Sequence, residues 1–162
     1  MDERHIWIVR HAKSAEGSPG MRDHDRPLNP RGERDGAAMQ AWFAAHPHKP
    51  SWIWTSTALR ARTTAGYIAE GTGATLIESA DLYLAGPEAA LACLRETPDD
   101  VACVVLVAHN PGLTYLVNQL GSGYVTDNLV TFGSALFSYR GAWHDLRSGA
   151  AEFVELITPR TL

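Results

Sequence analysis

Arg10-His11 directly follows the apolar run Ile6-Trp7-Ile8-Val9. A cation and an imidazole side by side at a strand tip can grip one anion rigidly, which is what a phosphoryl site requires. Two later segments have the same form. Trp52-Ile53-Trp54 runs into Thr55-Ser56 and Arg60, and Val101 to Ala108 runs into His109-Asn110-Pro111. Four basic side chains therefore leave three expected strand ends. In open α/β sheets ligands bind beyond the carboxyl ends of strands, so groups about a hundred residues apart can converge there.

Phosphoryl transfer needs positioning and charge neutralisation, because the equatorial oxygens carry the charge through an in-line displacement. Arginine suits this: its planar fork donates to two oxygens at once and stays protonated, so Arg10 and Arg60 are the expected clamp. At an effective dielectric of about 20, each close charge pair contributes roughly 4 kcal/mol before desolvation. The helix expected to open at Asn110-Pro111 turns backbone N–H groups and its positive dipole end toward the same place. A nucleophile is still needed, and these tips offer no serine beside a base and no activated cysteine. A neutral imidazole can attack phosphorus through one nitrogen while its other N–H is held by a carbonyl, giving a phosphohistidine that water later hydrolyses. Attack is assigned to His11, where strand and arginine fix it, and donation to the transition state to His109. Spacing by itself does not decide between the two.

The elements that must position these groups read as alternating strands and helices. After the first strand and a polar loop from Lys13 to Leu28, Asn29-Pro30 offers a helix cap and a proline at the first helical position. Ala37, Ala38, Ala41, Trp42 and Ala45 are the expected apolar face of that helix. A strand from about Ser51 meets Ser56 or Thr57 as the cap of a second helix, faced by Ala58, Ala61, Ala65 and Ile68 and ended by Gly71 and Gly73. A short strand over Ala74 to Glu78, a helix from Pro87 to about Glu96 and the strand Val101 to Ala108 follow. That last strand has no polar side chain, which suits burial on both faces. Leu113, Leu116, Val117 and Leu120 form the stripe of a fourth helix. Strand-like stretches from Val130 to Tyr139 and Glu152 to Thr158, joined across Arg147-Ser148-Gly149, read as an antiparallel hairpin. The expected fold is a three-layer α/β sandwich: a mainly parallel mixed sheet, helices on both faces and a C-terminal antiparallel hairpin, all within one domain over residues 1–162.

Composition narrows the function classes. With 14 basic and 18 acidic residues the formal charge is −4, which gives no global field for nucleic acid or an anionic membrane. No apolar stretch approaches the ~20 residues that span a bilayer. Cys93 and Cys103 form neither a C-x-x-C pair nor a disulfide framework, and no charged-then-apolar leader follows Met1, so a cytoplasmic protein with inert core thiols is the expectation. His46-Pro47-His48 offers an H-x-H pair, but no carboxylate or cysteine cluster completes a metal site, and a solvated loop is expected there. No metal and no cofactor are called for.

The blocks Arg10-His11-Ala12-Lys13-Ser14, Asp25-Arg26-Pro27-Leu28 with Arg31-Gly32, Ser56 through Arg60-Ala61, and His109-Asn110-Pro111-Gly112 strongly resemble the SixA-like phosphohistidine phosphatases. That group belongs to the histidine phosphatase superfamily, which also holds the cofactor-dependent phosphoglycerate mutases. The resemblance runs from about Ile6 to the last strand. It implies His11 as nucleophile, Arg10 and Arg60 as phosphate-binding arginines and His109 as the second histidine. The superfamily's Arg-His-Gly reads Arg-His-Ala here, a difference of one methyl group. It further implies a carboxylate after the third strand as general acid, for which Asp81 is nearest in position and Glu78 is the rival. Departing imidazole has a reference pKa near ~6.5 against ~15.7 for water, so a phosphohistidine substrate relaxes the demand for that acid.

Lys13 and Ser14 can touch phosphate from the loop or simply cap it, and Asn110 joins the candidate phosphate contacts. Arg26 either lines the entrance or pairs with Asp23 or Asp25, and Arg62 reads as a surface charge. The resemblance implies a phosphatase acting on phosphohistidine of a partner protein, such as a histidine phosphotransfer domain. A small-metabolite phosphatase, a mutase-like enzyme acting on a small phosphate ester, and a non-catalytic phosphate-binding module are the alternatives.

Overall fold

The computed structural model describes residues 2–162. β1 (Glu3–Arg10) and β4 (Cys103–Ala108) pair in parallel, with Arg10 opposite Ala108. Both strands are apolar on both faces for one reason. Ile6, Ile8, Val104 and Leu106 point into one core, while Trp7, Val9, Val105 and Val107 point into another. β2 (Trp52–Ser56) pairs in parallel with β4, and β3 (Thr75–Ser79) in parallel with β2. β5 (Ser134–Arg140) runs antiparallel to β1, and β6 (Glu152–Ile157) antiparallel to β5. The strand order is β3-β2-β4-β1-β5-β6. The carboxyl ends of β1, β2 and β4 therefore share one edge, and the three-layer mixed sheet expected from the sequence is the fold observed.

α1 (Pro30–Ala45) and α2 (Leu59–Thr72) cover the Trp7 face; α3 (Pro87–Arg95) and α4 (Gly112–Leu120) cover the Ile6 face. α1 opens as its sequence predicts, with Asn29 Oδ1 accepting the Gly32 N–H at 2.8 Å and proline in the first turn. Its buried face is not the expected one. Ala37, Ala38, Ala41 and Ala45 are exposed, and Gly32, Asp35, Gly36, Met39 and Phe43 are buried. Met39 and Phe43 each remove far more apolar area from water than a methyl group, and the two glycines let the helix approach closely, so the larger side chains set the rotation. The α2 boundary also differs. The helix opens after Ala58 without a side-chain cap, and Ser56 instead receives the Ala58 N–H at 3.2 Å from the strand end. Gly73, in the left-handed region at φ 76°, closes it.

Two glycines bring helix starts against the functional edge. A Cβ on Gly32 would run into the Lys13 carbonyl, and one on Gly112 into the Ala85 carbonyl. The first strand of the C-terminal hairpin is shorter than its sequence suggests. β5 begins only at Ser134, and the connection to β6 contains a 3-10 turn over Trp143–Asp145. Trp143 is fully buried there and donates its indole N–H to the Val101 carbonyl at 3.0 Å, burial that a solvent-exposed turn would forgo. Residues 130–133, read as strand, instead cross the tip of β1. His46 and His48 are likewise packed rather than solvated, with Pro47 exposed between them. His46 Nε2 meets Glu155 at 2.7 Å, its Nδ1 accepts the His48 N–H at 2.9 Å, and the His48 ring stacks on His5 at 3.6 Å.

Candidate active site

Arg10, His11, Arg60 and His109 line one cavity of about 450 Å³ at the shared edge, together with Ser14 and Asn110. These six residues, and Lys13, which the sequence also offers as a phosphate contact, are therefore brought together. Convergence follows from strand pairing: Arg10 and Ala108 are register partners, and the His11 N–H donates to the Ala108 carbonyl at 3.2 Å, so His11 and His109 leave adjacent strand tips. Their rings lie 5.2 Å apart.

The first histidine is fixed in one tautomer. His11 Nδ1 lies 2.7 Å from the Ala12 carbonyl oxygen, which can only accept, so Nδ1 carries the proton and Nε2 carries the lone pair. Ala12 is itself held from α2, because its N–H donates to Thr64 Oγ1 at 2.8 Å and that hydroxyl donates to the Arg60 carbonyl at 2.8 Å. Burial, only partly offset by the Ala12 contact, pushes the His11 pKa down to about 3, with His109, Arg60 and Arg10 adding to the shift. His11 is thus neutral at physiological pH.

The segment that crosses the tip of β1 completes the wall. The Arg10 N–H donates to the Gly133 carbonyl at 3.1 Å, the Phe132 N–H to the His11 carbonyl at 3.1 Å, and Arg10 Nη1 to the Leu129 carbonyl at 3.2 Å. Buried Phe132 holds φ 51°, a strained value for a non-glycine residue that carries Thr131 to the cavity. Arg60, 2 % exposed, donates through Nη1 to the Asp23 carbonyl at 2.8 Å and through Nη2 to Asp23 Oδ2 at 3.0 Å. Arg10 Nε, Arg60 Nε and His109 Nδ1 are buried without a hydrogen-bond partner among the described residues. Leaving a buried polar group unpaired costs about 1–3 kcal/mol, more if charged. All three residues line the cavity, so a tetrahedral oxyanion bound there would sit beside a guanidinium pair and an imidazole.

A model of the histidine phosphatase superfamily (branch 1) matches residues 6–83. The chain is 34 % identical over 161 residues to the uncharacterised Mycobacterium tuberculosis protein Rv1276c, covering 94 % of this chain and all of that one. It superposes with a TM-score of 0.88, at 27 % identity and 98 % coverage of both chains, on a protein from Nakamurella multipartita proposed to be a phosphohistidine phosphatase SixA. The chain belongs to the histidine phosphatase superfamily. Its fold is also that of the protein histidine phosphatase SixA solved with tungstate, TM-score 0.81 at 22 % identity over 96 % of this chain and 97 % of that one. A mycobacterial glucosyl-3-phosphoglycerate phosphatase shares it at TM-score 0.70 and 16 % identity, over 94 % and 97 % of the two chains.

Within this histidine phosphatase fold two residues are placed elsewhere than the resemblance implied. Asp81 lines a separate cavity with Ser79, Cys93 and Glu96, because the 3-10 turn over Ala80–Leu82 buries Leu82 and sends Asp81 toward α3. Glu78 faces Arg62 at 3.7 Å. Asn110 reaches the cavity, but its side chain is committed to structure: Oδ1 accepts from Thr114 N and Oγ1, and Nδ2 donates to the Leu129 carbonyl. Ser14 Oγ accepts from Arg26 Nη1 at 2.8 Å. Arg26 plays both roles considered for it, lining the cavity and meeting Asp23 Oδ1 at 3.0 Å.

Asp23, Thr64 and Tyr83 were missed by sequence reading. Asp23 takes bonds from Arg26, Arg60 and the Tyr83 hydroxyl, the last at 2.6 Å. Tyr83 first, then Arg26 and Arg60, hold its carboxyl well below the usual carboxylate range, so it is ionised. The one available signal was Asp23 lying three residues before Arg26.

Proposed function

We propose that the chain is a phosphatase that works through a phosphohistidine on His11, with phosphohistidine of a partner protein, such as a histidine phosphotransfer domain, as favoured substrate. The observation that carries the reading is a neutral His11, locked by the Ala12 carbonyl with its Nε2 lone pair available, beside two arginines with unsatisfied donors. His11 Nε2 forms a bond to phosphorus as the bond to the leaving group breaks. The Ala12 carbonyl holds the Nδ1–H while positive charge develops on the ring, and Arg10, Arg60 and His109 donate to the equatorial oxygens. Water then attacks phosphorus, the N–P bond breaks with its electrons returning to Nε2, and inorganic phosphate leaves with the water oxygen, one water proton staying on that oxygen and the other passing to a second phosphate oxygen.

The acid inventory supports an N–P substrate. Asp23 is held ionised by Tyr83, Arg26 and Arg60, and so is poorly suited to protonate an alkoxide, whereas a phosphohistidine protonated on its other ring nitrogen takes the N–P electrons and departs as neutral imidazole without further protonation. Leu84, 58 % exposed at the cavity rim, offers an apolar contact to the side chain that bears the phosphoryl group.

The test is kcat/KM for a histidine-phosphorylated carrier protein set against sugar phosphates and phosphoglycerate. A general acid contributes roughly 10²-fold or more, so the carrier should win by about that factor. Equal or better turnover of the small esters would overturn the protein-phosphohistidine reading, and tight binding of all of them without turnover would make the chain a binding module.

A further inference from the structure

We infer that Ser56 is a positioning residue whose hydroxyl donates to His109 Nε2 and so fixes His109 in the tautomer that presents Nδ1–H to a bound phosphoryl oxygen. This rests on reading the cavity as a phosphoryl site.

The argument is a count of donors and acceptors. Ser56 is fully buried at the end of β2, and its Oγ lies 2.8 Å from His109 Nε2. The same Oγ accepts the Ala58 N–H at 3.2 Å. A serine hydroxyl has one proton to give, and His109 Nε2 is the acceptor within reach of it. If His109 carried its proton on Nε2 instead, two donors would meet at Oγ and the serine proton would be stranded in a site that water does not reach. The satisfied network runs from the Ala58 N–H to Ser56 Oγ, and from the Ser56 O–H to His109 Nε2. His109 Nδ1 then carries the ring proton, and it is the buried ring nitrogen that lacks a partner among the described residues. The opposite tautomer would turn a lone pair toward an anion and repel it.

The two cavity histidines thus carry the same proton position for opposite purposes. His11 uses a backbone carbonyl to keep Nδ1 protonated and Nε2 nucleophilic, while His109 uses a serine to keep Nδ1 a donor. The choice of tautomer matters because His109 is neutral: burial first, then Arg60, lowers its pKa to about 4. The groups facing it are Arg60 from α2, Arg10 and His11 from the tip of β1, Asp23 and His24 from the turn before Arg26, and the Tyr83 ring at 5.6 Å. Asp23 favours the cation, while Arg60, Arg10 and His24 oppose it.

The test uses the full chain, labelled with ¹⁵N in its histidine rings, with inorganic sulfate as a tetrahedral dianion whose charge is constant over the range used. In the wild type the His109 Nδ1 resonance should be that of a protonated nitrogen and Nε2 that of a bare one. In Ser56→Ala, with its fold checked by the amide spectrum, Nε2–H should become populated and sulfate affinity should fall roughly 10-fold at about pH 8. The deficit should narrow toward about pH 5. Losing the serine donor raises the His109 pKa, bound anion raises it further, and an imidazolium donates from both nitrogens whatever the tautomer.

A wild-type His109 protonated on Nε2, or a Ser56→Ala protein that binds sulfate as the wild type does at about pH 8, overturns the assignment. The outcomes separate this inference from the proposed function. A tautomer that responds to Ser56 in a protein without turnover sinks the phosphatase reading and leaves the assignment standing. Turnover of phosphohistidine with His109 protonated on Nε2 does the reverse.

Discussion

His11 Nδ1 and the Ala12 carbonyl oxygen stand 2.7 Å apart, so a residue's own neighbour decides which nitrogen of the histidine faces phosphorus. Because the contact is made with backbone, it depends on how Ala12 is held, its N–H donating to Thr64 Oγ1. The nucleophile is thus set by packing between β1 and α2 rather than by a partner acid.

Both cavity histidines make stability fall with acid. His11 sits at about 3 and His109 at about 4 in the folded protein, against 6.5 when exposed. Above pH 6.5 both are neutral folded or unfolded, and their full contribution is present. Below it the unfolded chain takes up protons that the folded one refuses, so stability is lost until the folded values are reached, at about 1 kcal/mol per pH unit for each histidine. Urea denaturation at steps between pH 7 and pH 4 should show this slope, and His11→Gln/His109→Gln should flatten it. His5, also lowered by burial, still contributes in that variant. An unchanged slope would mean that the two imidazoles are not held neutral.

Arg60 and Asp23 make a different prediction. Arg60→Lys removes the fork that meets both the Asp23 carbonyl and its carboxylate, and kcat/KM should drop about 100-fold or more. Asp23→Asn removes a negative charge that competes with substrate for the same guanidinium. Calorimetric titration with phosphate should show binding tightened a few-fold, a modest gain because the Asp23 side chain is half exposed. Weaker binding would instead make Asp23 a support that Arg60 requires.

Asp81→Asn should leave turnover of both phosphohistidine and alkyl phosphates within about twofold of the wild type, since its side chain lines another cavity. Selective loss on alkyl phosphates would restore it as the acid.

Gly32→Ala and Gly112→Ala should each cost about 1–3 kcal/mol in chemical denaturation, because the added methyl meets a backbone carbonyl that cannot rotate away. Gly32→Ala should also lower activity, since the carbonyl it displaces belongs to Lys13 on the cavity wall. Gly66→Ala, in α2 with open space around it, should gain roughly 0.5–1 kcal/mol. Equal effects at all three positions would refute the close approaches.

The contrast between Arg10 and Asp23 shows what the sequence reveals. Arg10, His11, Arg60 and His109 sit at or just past strand ends, and apolar runs such as Val101 to Ala108 announce those ends, so parallel pairing makes their convergence readable. Asp23 comes from a loop with no periodicity, and its approach to Arg60 depends on how that loop folds over α2. Asp81 illustrates the same limit, since one 3-10 turn decides which cavity it faces. The face of α1 was misread because counting alanines ignores size: Met39 and Phe43 outweigh four methyl groups. Ser56 was legible as a cap and as the start of a family block but not as a partner of His109, which is 53 residues away.

The central claim is that His11 Nε2 takes the phosphoryl group. Brief exposure to a small phosphodonor, quenching in denaturant under alkali and peptide mapping by mass spectrometry test it directly. The wild type should carry a phosphoryl group on His11 that is stable in alkali and lost in acid, and His11→Asn should carry none and show no turnover. Turnover surviving in His11→Asn, or the label found on another residue, would contradict the account.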